Sequence, residues 1–294
     1  MWIRERTATT DPLPDNLAAA RREASLRGWV RALAKPRHFW AERAMNRRVG
    51  MQLAEAFGRL GFRVELQGNY RNVVALPADL EGACTLVGAH YDSVPGSPGA
   101  DDNASGLAAM LECAGHVAAA GIRDVGFVAF NAEEDGLLGS QSFVREGLDA
   151  FGLRLRLVHV LEMCGFRDAT PGSQRAPLPP GLLGFDAGTF IALVGRGASN
   201  AEVRTALGPR AAPHLHRVGV ETTALVGRLL PDLGRSDHAP FWNADLPALL
   251  WTDTGNFRNP HYHRSTDTAD TLDYRFLRAV TDLLCATVTR GASP

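Results

Sequence analysis

Apolar residues recur at helical spacing through residues 13–34 (LPDNLAAARREASLRGWVRALA) and again over about 39–60, with Pro36 between them. Two helices are expected there, covering a core that follows. Beyond residue 60 the period shortens and alternates. RVELQ, NVVALP, ACTLVGAH, VGFVAFN, LRLVHVLEM, TFIALVG and PALLWTDT read as strands. Helical patterns start at about residue 105, near 139–147, at SNAEVRTAL and over 270–289. The runs CTLVGA and VGFVAF are apolar at successive positions, as in strands covered on both faces. The pattern predicts an α/β fold with a mainly parallel sheet between helices.

Composition narrows this picture. The 294 residues are 45% apolar and 21% charged, enough for a large core, and the formal net charge of −1 offers no basic footprint for nucleic acid or an anionic membrane. Small or neutral substrates are favoured. The first residues, MWIRERTATTDPLPDN, lack the apolar core of a secretory signal, and no apolar run is long enough to span a bilayer, so a cytoplasmic location is expected. Cys84, Cys113, Cys164 and Cys285 sit in apolar segments without CxxC spacing and are expected to be buried free thiols. Residues 165–188, rich in Gly and Pro, are too long for a plain connection and are expected to form a functional rim.

The polar residues supply the chemistry. His90 ends one predicted strand, Glu133 and Glu134 follow another, Glu162 ends a third, and Asp101 and Asp102 precede a helix. In open α/β sheets such strand ends converge on one crevice. Asp92, Asp101 and Asp102 repel one another unless a cation or donors neutralise them. Histidine with several carboxylates and no thiolate is the ligand set of a hydrolytic zinc site, and two metals sharing one carboxylate would account for the surplus acid.

The motifs HYDSVPGSPGADDNASG, NAEEDGLLGS, the LEM after a strand, RSDHAPFW and PHYHRSTDT, in that order, resemble the co-catalytic zinc aminopeptidases, relatives of the bacterial leucyl aminopeptidases. The likeness covers roughly residues 40–290. It implies a mixed, mainly parallel sheet of about eight strands, a catalytic domain over 39–294 behind an N-terminal helical appendage of 1–38, and two zinc ions. The resemblance assigns His90 and Glu162 to one zinc, Glu134 and His263 to the other, Asp102 as the bridge, and Glu133 as general base. Where better-known members carry Asp, this chain carries Glu162, a residue with one more methylene to accommodate. A cis peptide between Asp102 and Asn103 is also implied. Tyr262 is a candidate donor to a developing oxyanion. Asp92 is expected to orient a histidine ligand, with Asp101, Ser236, Asp237 and His238 in support and His261 at the rim. His116, His159, His214 and His216 are expected to be structural or surface residues. Phe185, Phe190 and Trp242 are candidate walls for the first side chain of a peptide with a free N-terminus. Two other readings compete: a glutaminyl-cyclase-like acyl transferase with a single zinc, and a binding module of the same fold without activity.

Overall fold

In the computed structural model, residues 1–8, 15–175, 186–208 and 212–290 are described. The strands are β1 (Trp2–Arg6), β2 (Arg63–Gln67), β3 (Asn72–Leu76), β4 (Ala83–His90), β5 (Val125–Phe130), β6 (Arg154–Glu162), β7 (Phe190–Arg196), β8 (His216–Thr222) and β9 (Ala248–Thr252). The helices are α1 (Leu17–Leu33), α2 (Arg43–Arg59), α3 (Gly106–Ala119), α4 (Leu138–Ser142), α5 (Leu148–Ala150), α6 (Asn200–Ala206), α7 (Ala224–Leu229), α8 (His238–Asn243) and α9 (Tyr274–Val288). The predicted long helices are therefore present with slightly trimmed ends. Asn16 caps α1 through its side chain on the Ala19 N–H, and Asp273 caps α9 on Arg275 and Phe276.

The strands form one sheet in the order β1-β8-β7-β9-β6-β4-β5-β3-β2. The expected strand number and direction need correcting: among the described residues the sheet has nine strands. It is evenly mixed, because β4–β5, β4–β6, β6–β9 and β7–β8 pair in parallel while β1–β8, β2–β3, β3–β5 and β7–β9 pair antiparallel. The parallel block at the centre holds the two continuous apolar strands, β4 and β5, as their pattern required. The strands missed by pattern, β1 (WIRER) and β8 (HRVGVET), lie together at one edge, where charged residues interrupt the apolar alternation.

On one face, α1, α2, α3, α6 and α9 close over a core that includes Leu26, Val30, Phe57, Leu107, Phe127 and Leu284. On the other, α8 and the 143–147 turn pack Phe143 and Phe241 against Phe130. Residues 1–38 contribute an edge strand to the sheet and, through Leu26, Val30 and Leu33, part of the same core. The four cysteines are buried and free. No helix among the described residues is long and apolar enough to cross a membrane.

Candidate metal centre

The central strands deliver their last residues to one crevice. His90 is the final residue of β4 and Glu162 the final residue of β6; Glu133 and Glu134 stand just past β5, and His263 stands past β9. Between β4 and α3 the chain tightens into a loop, Ala100–Ser105, which presents Asp102. The Asp102–Asn103 peptide is cis, as expected. Gly99 makes the approach to that loop possible: its φ is +59°, and a Cβ there would stand 2.2 Å from the Asp102 carbonyl oxygen. Ala132, Met163 and His263, each beside or among the polar residues, also adopt positive φ of 54°, 53° and 58°. Residues with side chains hold that conformation only where their surroundings fix it.

The two oxygens of Asp102 face different partners. Oδ1 lies 3.1 Å from His90 Nε2, which is itself 3.5 Å from Glu162 Oε2. Oδ2 lies 3.2 Å from His263 Nε2, which is 3.2 Å from Glu134 Oε2. The ligand-capable atoms of His90, Asp102 and Glu134 fall within 4.8 Å of one another, as do those of His90, Glu133 and Glu162. Both ring nitrogens of His90 and Oε1 of Glu134 are buried without a hydrogen-bond partner, and buried polar atoms left so are costly. Such atoms, aimed into shared space by imidazoles and carboxylates, fit binding of a divalent cation of the zinc type.

Electrostatics reports the same deficit of positive charge. Burial, reinforced by Asp102, pushes the Glu134 carboxyl up to about 7. Burial also raises Glu133, with repulsion from Glu162 and Glu134 adding to it against the pull of His90. His263 rises to about 10 despite its burial, because Asp102 and Glu134 accept from its ring. Asp102 stays low despite burial, held there by His263 and His90. The carboxylates thus push both imidazoles towards their charged form, the direction expected where positive charge is lacking.

A second layer holds these groups. Asp92, fully buried, accepts from the backbone N–H groups of Glu133 (3.1 Å) and Glu134 (3.2 Å), and its Oδ1 lies 3.4 Å from His90 Nδ1. Asp101 turns away from the cluster, accepting from Gly165 N (2.9 Å) and Asn259 Nδ2 (2.7 Å). Ser236 donates to Glu162 Oε2 at 2.7 Å. Asp237 is buried near His90, Asp92 and Glu162, and its carboxyl is pushed up to about 7 by burial, opposed by His90. His238 faces away from the cluster: Nε2 lies 2.7 Å from the Leu233 carbonyl and its ring packs edge-on against Trp242. His261 contacts Thr266 Oγ1 and packs near Phe166, outside the cluster. His159 is buried and accepts from Trp251 Nε1.

Three supports escaped the sequence. Asp267 accepts from the N–H groups of Asp101 and Asp102, fixing the loop from behind. Arg37, with no exposed surface, donates to the carbonyls of Lys35, Tyr91, Pro98 and Gly99 and so clamps the chain that carries Asp92 and Asp102. Arg235 donates to the Tyr262 hydroxyl at 3.0 Å, while the Tyr262 ring stacks on His263 with centroids 3.7 Å apart. Nothing local in the sequence marks these partners, which are far apart along the chain.

Beside the cluster opens a cavity of about 420 Å³. Phe190 lines it, as expected of a wall. Trp242 does not: it is buried in the core, its Nε1 donating to the Ala248 carbonyl at 2.8 Å, because α8 turns that side of the ring inward. Phe185 lies outside the described residues. Of the 165–188 segment, Gln174 and Arg175 reach the rim.

Imidazoles and carboxylates gathered at the carboxyl edge of an α/β sheet, beside a cavity, define a hydrolase-type metal centre. Residues 72–288 match the model of peptidase family M28, and the chain belongs to that family. It is 36% identical over 254 residues to the uncharacterized protein YfbL of Escherichia coli K12, covering 78% of this chain and 76% of that protein. It is 32% identical over 231 residues to the probable lipoprotein aminopeptidase LpqL of Mycobacterium tuberculosis, covering 69% of this chain but only 42% of LpqL. Among solved structures, BSAP, a zinc aminopeptidase from Bacillus subtilis, is 25% identical, with a TM-score of 0.54 over 76% of this chain and 50% of that one. The LapA aminopeptidase of Legionella pneumophila shares the fold, with a TM-score of 0.72 at 18% identity, covering 97% of this chain and 78% of LapA. So does the glutaminyl cyclase of Porphyromonas gingivalis, with a TM-score of 0.67 at 20% identity over 92% and 98% of the two chains.

Proposed function

We propose that this chain is an aminopeptidase that binds two zinc ions and removes the N-terminal residue of peptides. The observation that carries the reading is the division of Asp102: one oxygen faces His90, the other faces His263 and Glu134. A shared carboxylate with a full set of partners on each side suits two ions and exceeds what the single-zinc acyl transferase needs. A binding module without activity does not require such a cluster.

In this reading His90 and Glu162 would hold one ion and His263 and Glu134 the other, with Asp102 available to both. When bound, zinc supplies Lewis acidity, polarising the scissile carbonyl and lowering the pKa of a water. Glu133 has a buried carboxylate free of a backbone role, and it takes the proton from the attacking water and returns it to the leaving amine. Glu133 and Glu162 also face the place where a substrate's free α-ammonium must sit. Because Arg235 donates to the Tyr262 oxygen, the phenol's own hydrogen remains available for a developing oxyanion. Ser236 donates to the carboxylate of Glu162 and so orients it towards the cluster.

The test couples metal analysis to two assays: hydrolysis of aminoacyl anilides and cyclisation of an N-terminal glutamine peptide. Two zinc ions per chain with anilide hydrolysis support the reading. One ion with cyclisation alone would overturn it in favour of the acyl transferase, and metal binding with neither activity would leave the binding module.

A further inference from the structure

The edge strand β1 presents two unlike faces. Ile3 pairs with Val220 on the cavity side, and on that same side Glu5 meets His216 at 2.9 Å. Trp2, Arg4 and Arg6 point the other way, in register with Glu221, Gly219 and Arg217. On that face α6 packs against β7 and β8, and the three side chains of β1 stand beyond it, exposed. Arginine collects around this rim. Arg204 of α6 shares Glu221 with Arg4, and Arg290, just past α9, reaches the Thr205 carbonyl. Arg217 lies buried beside Arg6, with Nε and Nη2 unpartnered. Burial and the neighbouring Arg6 lower its pKa to about 10, which leaves it charged at neutral pH. The acids that β8 and α6 add on this side are Glu221 and Glu202, so the five arginines keep an excess of three positive charges over them. The net charge of −1 averages this asymmetry away.

Apolar side chains stand at the same edge. Trp2 (73% exposed), Leu229 (72%) and Leu225 (66%) are three of the four most exposed large apolar residues among those described. The two leucines and Arg228 belong to α7, which starts two residues after the end of β8 and buries none of its residues.

We infer that this edge is a peripheral membrane-contact surface, on which Arg4, Arg6 and Arg228 meet the phosphates of anionic lipids while Trp2, Leu225 and Leu229 enter the interfacial layer. Charge complementarity selects an anionic partner. The exposed apolar side chains select a bilayer over a nucleic acid: leucine has no role on a phosphate backbone, whereas a lipid interface takes up leucine and favours tryptophan at headgroup depth. The metal centre takes no part in this inference, which stands or falls apart from the aminopeptidase reading.

The test is flotation of the full chain with vesicles of phosphatidylcholine alone and of phosphatidylcholine containing one-third phosphatidylglycerol. Binding is expected to the anionic vesicles only, and to fade as salt rises from about 0.1 M towards 1 M, where screening shortens to a few ångströms. Each basic residue near an anionic surface contributes about fivefold, so Arg6→Gln combined with Arg228→Gln is expected to lower the partition coefficient about 25-fold. Leu225→Ser with Leu229→Ser is expected to lower it at least about tenfold. All four side chains are exposed, so these variants keep the circular dichroism of the parent. Arg47→Gln with Arg48→Gln makes the same change of charge on exposed positions of α2, and is expected to leave partitioning within about twofold. Equal losses from the two arginine pairs, or no flotation with the anionic vesicles, would overturn the inference. Retention of a DNA oligonucleotide of random sequence without flotation would overturn it as well, and would assign the arginines to nucleic acid.

Discussion

Replacing Arg37 with methionine tests whether the loop that carries Asp102 is held from behind by one buried guanidinium. The side chain has no exposed surface and donates to four carbonyls, those of Lys35, Tyr91, Pro98 and Gly99, while feeling the charges of Asp92, Asp102, Asp267 and Glu134. Methionine fills much of the volume but donates nothing. Each stranded buried acceptor costs about 1–3 kcal/mol, so the two in buried bonds, the carbonyls of Tyr91 and Gly99, give at least about 2 kcal/mol. Removing one partner from a buried charged set costs a similar 3–5 kcal/mol. That is a large share of the 5–15 kcal/mol that holds an ordinary domain together. Urea unfolding of the metal-free protein, followed by far-ultraviolet circular dichroism, reads the loss as a lower midpoint. Arg37→Lys keeps the charge and three donors, leaves at least one carbonyl unmatched, and is expected to lose only about 1–3 kcal/mol. If Arg37→Met does not fold, Arg37→Lys carries the measurement. A loss below about 1 kcal/mol in Arg37→Met would show that the loop holds its shape without the clamp.

Glu133→Gln is expected to retain two zinc ions by mass spectrometry of the metal content while turnover falls at least about a hundredfold, whereas Glu134→Gln loses metal; the reverse pattern would exchange the two roles. Glu162→Ala should empty the site beside His90 first under chelator competition, leaving the Asp102, Glu134 and His263 side occupied, and equal loss from both would point to a different ligand. His159 titrates at about 3 in the fold because burial opposes its charge, against an ordinary 6.5. The unfolded chain therefore binds the proton first, and stability drains away as pH falls from 6.5 towards 3. Relative to His159→Gln, wild type should lose about 2–3 kcal/mol more between pH 6.5 and 4.5 in chemical unfolding, and parallel curves would contradict this.

Four of the candidate site residues were legible because each follows an apolar run: His90 after CTLVGA, Glu133 and Glu134 after VGFVAF, Glu162 after LVHVL. Strand direction and strand ends then bring them together with little further information. The edge of the sheet was not legible. β1 and β8 carry Arg and Glu on the face where Arg4 and Arg204 meet Glu221, so neither reads as a buried strand, yet their other face floors the cavity. Arg37, Asp267 and Arg235 act through backbone carbonyls, N–H groups and a hydroxyl far away in sequence, and such partners leave no periodic trace. Trp242 read as a cavity wall by its type, but its indole N–H is committed to Ala248.

Asp92 ties together two functions that are usually considered apart. One carboxylate sits against the ring of His90 and accepts from the backbone N–H groups of both Glu133 and Glu134. It is a crosspiece between the end of β4 and the turn after β5, so in the proposed reading a displacement of His90 towards it would press on the carboxylate that holds the backbone of Glu133. In the proposed reading an ion of different radius beside His90 would therefore re-aim Glu133 as well as altering the Lewis acid. Rates measured with cobalt, manganese or cadmium in this protein will combine both effects, and Asp92→Asn, which weakens the crosspiece, is the variant that uncouples them.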